Sequence, residues 1–320
     1  MFSKILLVSF FTFAFFELEA KVRVLTFHYN KPHFFEWQCL GLKKFCQDDY
    51  ELFIFSDAPK AQIRNFFEKI ASIYEARFFH YEDRWHYNEN YNHILSRKID
   101  TPKKNSWWKF PLLNGFPDEN FLAQQCSVRH CHVIQYALEY FGYDHDDIVV
   151  IMDGDLFPIK PFSFSEILGE NHLSGINADF QFKYHYPWVP LIIFQPSRMP
   201  DVRSLKFGMG FIEENLCDSG SQSYEYLKKY PEIKYFLSKR KSDDDFRPFD
   251  GRTFEKMGIF HEKLNTIQWP LQMEFYVNQT FLHFCGGSGA IYPKKKDSDL
   301  KKIMDTLIGR TKWSINRRFT

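Results

Sequence analysis

At 320 residues the chain is long enough to bury one large α/β core or two small ones. Its 44% hydrophobic and 25% charged residues are the proportions of a globular protein and exclude an intrinsically disordered one. A formal net charge of +1 argues against nucleic acid as a partner bound by bulk charge.

The N-terminus has one early positive charge, Lys4, and an almost wholly apolar run from Ile5 to Phe16, followed by Glu17-Leu18-Glu19-Ala20. Twelve apolar residues are too few to span a bilayer comfortably and have the size of a signal-peptide core. Residues 1–20 are therefore expected to be a signal peptide ending at Ala20, or a short N-terminal anchor that gives membrane association. Either reading places the chain in the secretory pathway or outside the cell. Six cysteines (Cys39, Cys46, Cys126, Cys131, Cys217 and Cys285) would permit disulfides there, but their spacing selects no pairing. Cys39 and Cys46 are expected to share a helix about 10 Å apart, too far for a local bridge. Free buried thiols fit equally well.

Lys21–Phe27 reads as a strand, Phe34–Cys46 as a helix and Glu51–Phe55 as a second strand. Ser56-Asp57-Ala58-Pro59 is a turn, with Asp57 a candidate N-cap for a helix over Ala61–Tyr74. Arg77–His80 is a third short strand. This β–α–β–α–β order predicts a parallel sheet with crossover helices. Residues 81–120 lose the pattern and read as a loop-rich insertion packed by its aromatics. A long helix is expected over Phe121–Phe141, with Gly142 as its stop.

Ile148–Met152 (IVVIM) is the strongest strand in the chain, apolar throughout, as in a central strand covered on both faces. Pro158 and Pro161 break the pattern beyond it. Leu191–Phe194 reads as a strand and Ser223–Lys229 as a helix. The basic run Lys294-Lys295-Lys296, with Lys301 and Lys302, reads as a solvated face. With no repeat and no low-complexity linker, one domain over 21–300 is the simplest organisation. Residues 301–320 are then a basic tail.

Directly after the central strand comes Asp153-Gly154-Asp155. Ligands of open α/β sheets bind at the carboxyl ends of strands. A carboxylate pair there calls for neutralisation, and a divalent cation supplies it. Mn²⁺ or Mg²⁺ would bridge these carboxylates to a diphosphate, and Gly154 would allow close approach.

The segment DDIVVIMDGDLFPIKPF resembles the metal-binding motif of GT-A-fold glycosyltransferases. VRVLTFHYN and ELFIFSD resemble the strands that hold the nucleotide in that family. FLHFCGGSGA resembles its C-terminal segment of histidine and glycines. Together these cover most of residues 21–293. The resemblance implies a GT-A-like, Rossmann-like α/β fold, with a mostly parallel central sheet flanked by helices. It also implies a metal-dependent transferase that uses a nucleotide-diphosphate sugar and a glycan, lipid or protein acceptor.

In that reading Asp153, Asp155 and His283 bind the metal, and Asp153 and Gly154 also meet the donor. Gly286, Gly287 and Ser288 would lie against its phosphates. The segment lacks the lysine usual near this point, which leaves Arg129 as the candidate phosphate cation. Phe27, His28 and Tyr29 would contact the nucleotide, and Asp57 its base or ribose. If the reaction inverts the anomeric centre, Asp218, or failing that Asp250, would take the acceptor's proton. Trp107, Trp108 and Trp188 offer stacking faces for an acceptor sugar, with packing as their ordinary role.

Other chemistries fit less well. Cys126, His130, Cys131 and His132 lack the paired spacing of structural zinc. Two acids two residues apart cannot flank a sugar as a glycoside hydrolase requires. The remaining alternative is an exported, non-catalytic carbohydrate-binding or host-interaction protein on a transferase fold.

Overall fold

The computed structural model describes residues 21–81, 112–113, 116–117, 126–178, 184–213, 215–238, 273–284 and 294–309. The first half of the chain forms β1 (Val22–His28), α1 (Pro32–Phe45), β2 (Tyr50–Ser56), α2 (Ala61–Ile73) and β3 (Arg77–His80). A short hairpin, β4 (Leu112–Leu113) with β5 (Phe116–Pro117), precedes α3 (Cys126–Phe141). Next come β6 (Ile148–Asp153), β7 (Leu156–Pro158), α4 (Phe164–Leu168), β8 (Leu173–Asn177) and β9 (Pro187–Phe194). The last elements are β10 (Gly210–Ile212), β11 (Asn215–Cys217), α5 (Ser223–Lys229), β12 (Tyr235–Ser238), β13 (Met273–Tyr276), β14 (Phe281–Phe284) and α6 (Lys294–Leu307).

Seven strands make one sheet in the order β12-β8-β9-β6-β1-β2-β3. All are parallel except β9, which runs against both its neighbours. The sheet is thus mixed but mostly parallel, flanked by helices, as expected. The side-chain alternation of a strand explains the two apolar layers. Val22 and Val24 of β1, with Ile148, Val150 and Met152 of β6, pack against Phe35, Cys39 and Leu42 of α1 and Ile63 and Phe67 of α2. Leu25, Phe27, Val149 and Ile151 pack on the other face against Val133, Ile134, Ala137 and Leu138 of α3. Burial on both faces is why β6 carries an unbroken apolar run.

β6 lies at the middle of the sheet, and that position comes from the connections. From β1 the chain steps outward through α1, β2, α2 and β3, then returns to lay β6 on the opposite side of β1. Such a reversal leaves a crevice at the carboxyl ends of the two central strands. A second sheet, β13-β14-β7, stands beside it. β7 starts one residue after the Asp-x-Asp turn and pairs antiparallel with β14, setting Leu156 opposite His283.

Two expectations change here. Residues from 301 do not begin as a solvated tail: Ile303, Met304 and Leu307 of α6 are buried with Phe34, Trp37, Phe157 and Leu282. The lysines mask an apolar stripe at helical spacing. Asp57 does not cap α2, whose N-cap position is Lys60 with no side-chain hydrogen bond. Among the described residues, Cys39, Cys46, Cys131 and Cys217 are in no disulfide. Residues 1–20 lie outside the described residues, within which no helix is long and apolar enough to cross a membrane.

Candidate functional site

The sixth residue of β6, Asp153, continues the side-chain series that faces α3. Its Oδ1 accepts the Gly154 amide at 2.7 Å and lies 3.8 Å from His130 Nδ1. Asp155 turns inward and is 2% exposed. Its Oδ1 is 3.1 Å from His283 Nε2, which the β7–β14 pairing delivers. On the other side of the imidazole, Nδ1 lies 3.2 Å from the Tyr276 hydroxyl. Ligand atoms of Asp153, Asp155 and His283 all lie within 4.8 Å of one another. Among the described residues this is the one group of His, Cys, Asp or Glu disposed to hold an ion.

These residues fit a hard divalent cation. Adjacent ligands about 2.1 Å from an octahedral ion stand about 3 Å apart, close to the separation of Asp155 Oδ1 and His283 Nε2. In the tautomer that donates Nδ1–H to the Tyr276 hydroxyl, Nε2 would offer its lone pair to a cation. Burial and the neighbouring Asp155 charge push the Asp153 carboxyl well above its ordinary pKa. A cation bound there would favour the ionised carboxylates against that burial.

Around this centre the carboxyl edge of the sheet gathers further polar groups. Arg129 of α3 pairs with Asp57 at 2.6 Å and lies over the Tyr29 ring, 4.6 Å from its centroid. Burial raises the Asp57 pKa even with that guanidinium beside it. Burial lowers the pKa of His130, against the charges of Asp155, Asp57 and Asp218. Asp218, just after β11, accepts hydrogen bonds from the Ser219 amide at 2.7 Å and from the side chain of Trp188. The Trp188 ring in turn meets His283 edge-on at 5.6 Å.

No family model matches this chain, and no curated protein matches its sequence. Among solved structures it is similar to a mannosyltransferase from Pyrobaculum calidifontis in complex with GDP-Man and Mn²⁺. That match has 10% identity and a TM-score of 0.38, covering 69% of this chain and 55% of the other. The glycosyltransferase GlyE of Streptococcus pneumoniae TIGR4 matches at 11% identity and TM-score 0.38, over 89% of this chain and 60% of that one. The galactosyltransferase LgtC, solved with donor and acceptor sugar analogs, matches at 11% and 0.36, over 87% and 99%. The chain thus spans little more than half the length of the first two. All three are glycosyltransferases. Likeness at this level carries no assignment, which rests on the site itself.

The structure brings together Asp153, Asp155, His283, Tyr29, Asp57, Arg129 and Asp218. Two residues expected to contact the nucleotide have their side chains packed inside the fold. Phe27 is 5% exposed, stacked on Phe55 with ring centroids 5.6 Å apart and packed against His130. The ring of His28 is buried beneath the turn, bonded to Gln38 and Thr26. The fold itself requires a glycine at position 154: a Cβ there would fall 2.2 Å from the Phe27 carbonyl oxygen and 2.8 Å from His28 Nδ1. The close approach is to β1. Trp188 packs against His283 and Tyr276. Asp250, Gly286, Gly287, Ser288, Trp107 and Trp108 lie outside the described residues.

Sequence reasoning misses the positions of His130 and Tyr276. It weighs His130 only with the neighbouring cysteines, as a zinc set. The useful signal is helical spacing: on α3 His130 lies one turn before Ile134, which packs on the β6 face that ends in Asp153.

Proposed function

We propose that this chain transfers a sugar from a nucleoside-diphosphate sugar to a hydroxyl of a glycan, lipid or protein. Mn²⁺ or Mg²⁺ would be held by Asp153, Asp155 and His283. The observation that carries the proposal is the convergence of these three side chains at the carboxyl end of the central strand, beside the reversal in strand order. A cation there supplies the positive charge that stabilises a departing nucleoside diphosphate.

Tyr29, Asp57 and Arg129 are assigned to the nucleotide: an aromatic face, an acceptor and a cation at one edge of the crevice. Asp218 is assigned to the acceptor side. Burial raises its pKa, which makes the carboxylate a stronger proton acceptor for an inverting transfer. The apolar run from Ile5 to Phe16 supports action in a secretory compartment, or tethering at its membrane.

A thermal-shift screen of nucleotide sugars with and without Mn²⁺ tests the proposal, with a second assay for nucleoside-diphosphate release. One donor should raise the melting temperature only when Mn²⁺ is present, and should then be turned over. No binding and no turnover across the common donors would favour a non-catalytic carbohydrate-binding protein.

A further inference from the structure

We infer that Gln38 is the positioning residue of the cation site: it sets the shape of the Asp153–Leu156 turn, and thereby cation affinity, without touching the ion. This rests on the cation site proposed above and deepens it.

Gln38 lies on α1 and is fully buried. Its Nε2 donates to the Asp153 carbonyl at 2.9 Å and to the Leu156 carbonyl at 3.0 Å. One planar amide therefore grips the backbone on both sides of Asp155. Because carbonyl oxygens only accept, the NH₂ must face the turn and Oε1 must face away. There Oε1 accepts the Thr26 hydroxyl at 2.5 Å and lies 3.1 Å from His28 Nε2. The Thr26 proton is committed to Gln38, so Nε2–H of His28 is the donor to this pair, and Nδ1 is the bare nitrogen beside Gly154. Every hydrogen-bonding position of the Gln38 side chain is used, and the polarity of the whole set runs one way.

The network is sealed from water: Thr26 and Gln38 are 0% exposed and His28 is 6% exposed. Polar groups enclosed this fully are stable only in one geometry, so they specify that geometry. Two close approaches hold the parts in place. Gly154 is pressed on the end of β1, and a Cβ on Gly41, one turn along α1 from Gln38, would lie 3.0 Å from the Pro158 carbonyl of β7. α1 can therefore lie directly on the strand that leaves the turn. The two carboxylates project from a loop whose backbone has little freedom to spread.

Titration of the full chain with Mn²⁺, read by electron paramagnetic resonance, tests this with wild type and Gln38→Met. The variant should bind Mn²⁺ at least about tenfold more weakly, as losses of ligand-orienting groups typically do. Unchanged Mn²⁺ affinity with a lower melting temperature would mean that Gln38 only stabilises the fold, and would overturn the inference. Should Gln38→Met fail to fold, Thr26→Val serves: it removes only the hydroxyl that orients the amide. Its expected effect is about threefold weaker Mn²⁺ binding with an unchanged circular dichroism spectrum, and unaltered affinity would again overturn the role. A wild type that binds no Mn²⁺ refutes the cation site and this role together, whereas binding by wild type and both variants alike refutes the role alone.

Discussion

On its α1 side the Asp153–Leu156 turn rests on a closed set of hydrogen bonds among Gln38, Thr26, His28 and two backbone carbonyls. On its α3 side Asp153 lies 3.8 Å from His130, whose neighbour Arg129 forms a partly exposed ion pair with Asp57. Beside that pair lies a buried imidazole nitrogen, His130 Nε2, with no hydrogen-bond partner among the described residues. The contrast separates two tasks within one loop. Saturated, buried polar groups fix where the carboxylates stand. Groups left with unused capacity are the ones available to a ligand.

The largest effect should come from breaking the centre that both sides share. Asp155→Asn keeps the shape of the side chain and removes its charge, so Mn²⁺-dependent turnover should fall on the order of a thousandfold while the fold persists. Steady-state kinetics with circular dichroism would read both, and near-full activity would remove Asp155 from the site.

Acid should next distinguish the closed side. Burial holds the His28 pKa down to about 4, against an ordinary 6.5. A base with a depressed pKa is neutral in the folded chain and takes up its proton more readily on unfolding. Its contribution is therefore complete above the unfolded pKa and is lost as pH falls through the window down to about 4. The loss should be roughly 3 kcal/mol. Urea unfolding across that window should show it, and His28→Gln should flatten that part of the curve. An identical slope in the variant would place the acid sensitivity elsewhere.

On the open side, Arg129→Met should weaken binding of the donor nucleotide about tenfold and leave Mn²⁺ affinity alone. Calorimetric titration of each ligand separates the two; a loss of Mn²⁺ binding would show that the ion pair also shapes the carboxylates. Tyr29→Leu removes only the ring beneath Arg129. A loss of about two- to fivefold in nucleotide affinity is expected from the cation–π contact, and no change would mean that the ring serves packing alone.

Much of this centre is readable in the sequence because its signals are local. IVVIM is a buried strand on composition alone, and the carboxylates come directly after it. FLHF forms β14, with His283 in it. Tyr29, Asp57 and Arg129 are each legible as nucleotide candidates, although their mutual contact is not. The capping role expected of Asp57 fails because α2 starts four residues later, at Ala61, and a guanidinium from α3 takes the carboxylate instead. Gln38 gives no signal at all: a glutamine in an amphipathic helix looks the same whether it faces water or two carbonyls.

What the sequence by itself determined is the strand, the acid pair at its end, and the alternation of apolar runs that makes a doubly covered sheet. These depend on neighbours along the chain. The tertiary structure alone decided which distant side chains complete the site. His283 is 128 residues from Asp155, and Gln38 is 115 from Asp153. Their meeting depends on strand order and on how closely α1 settles on β7, which are set by packing across the whole core and written in no single segment.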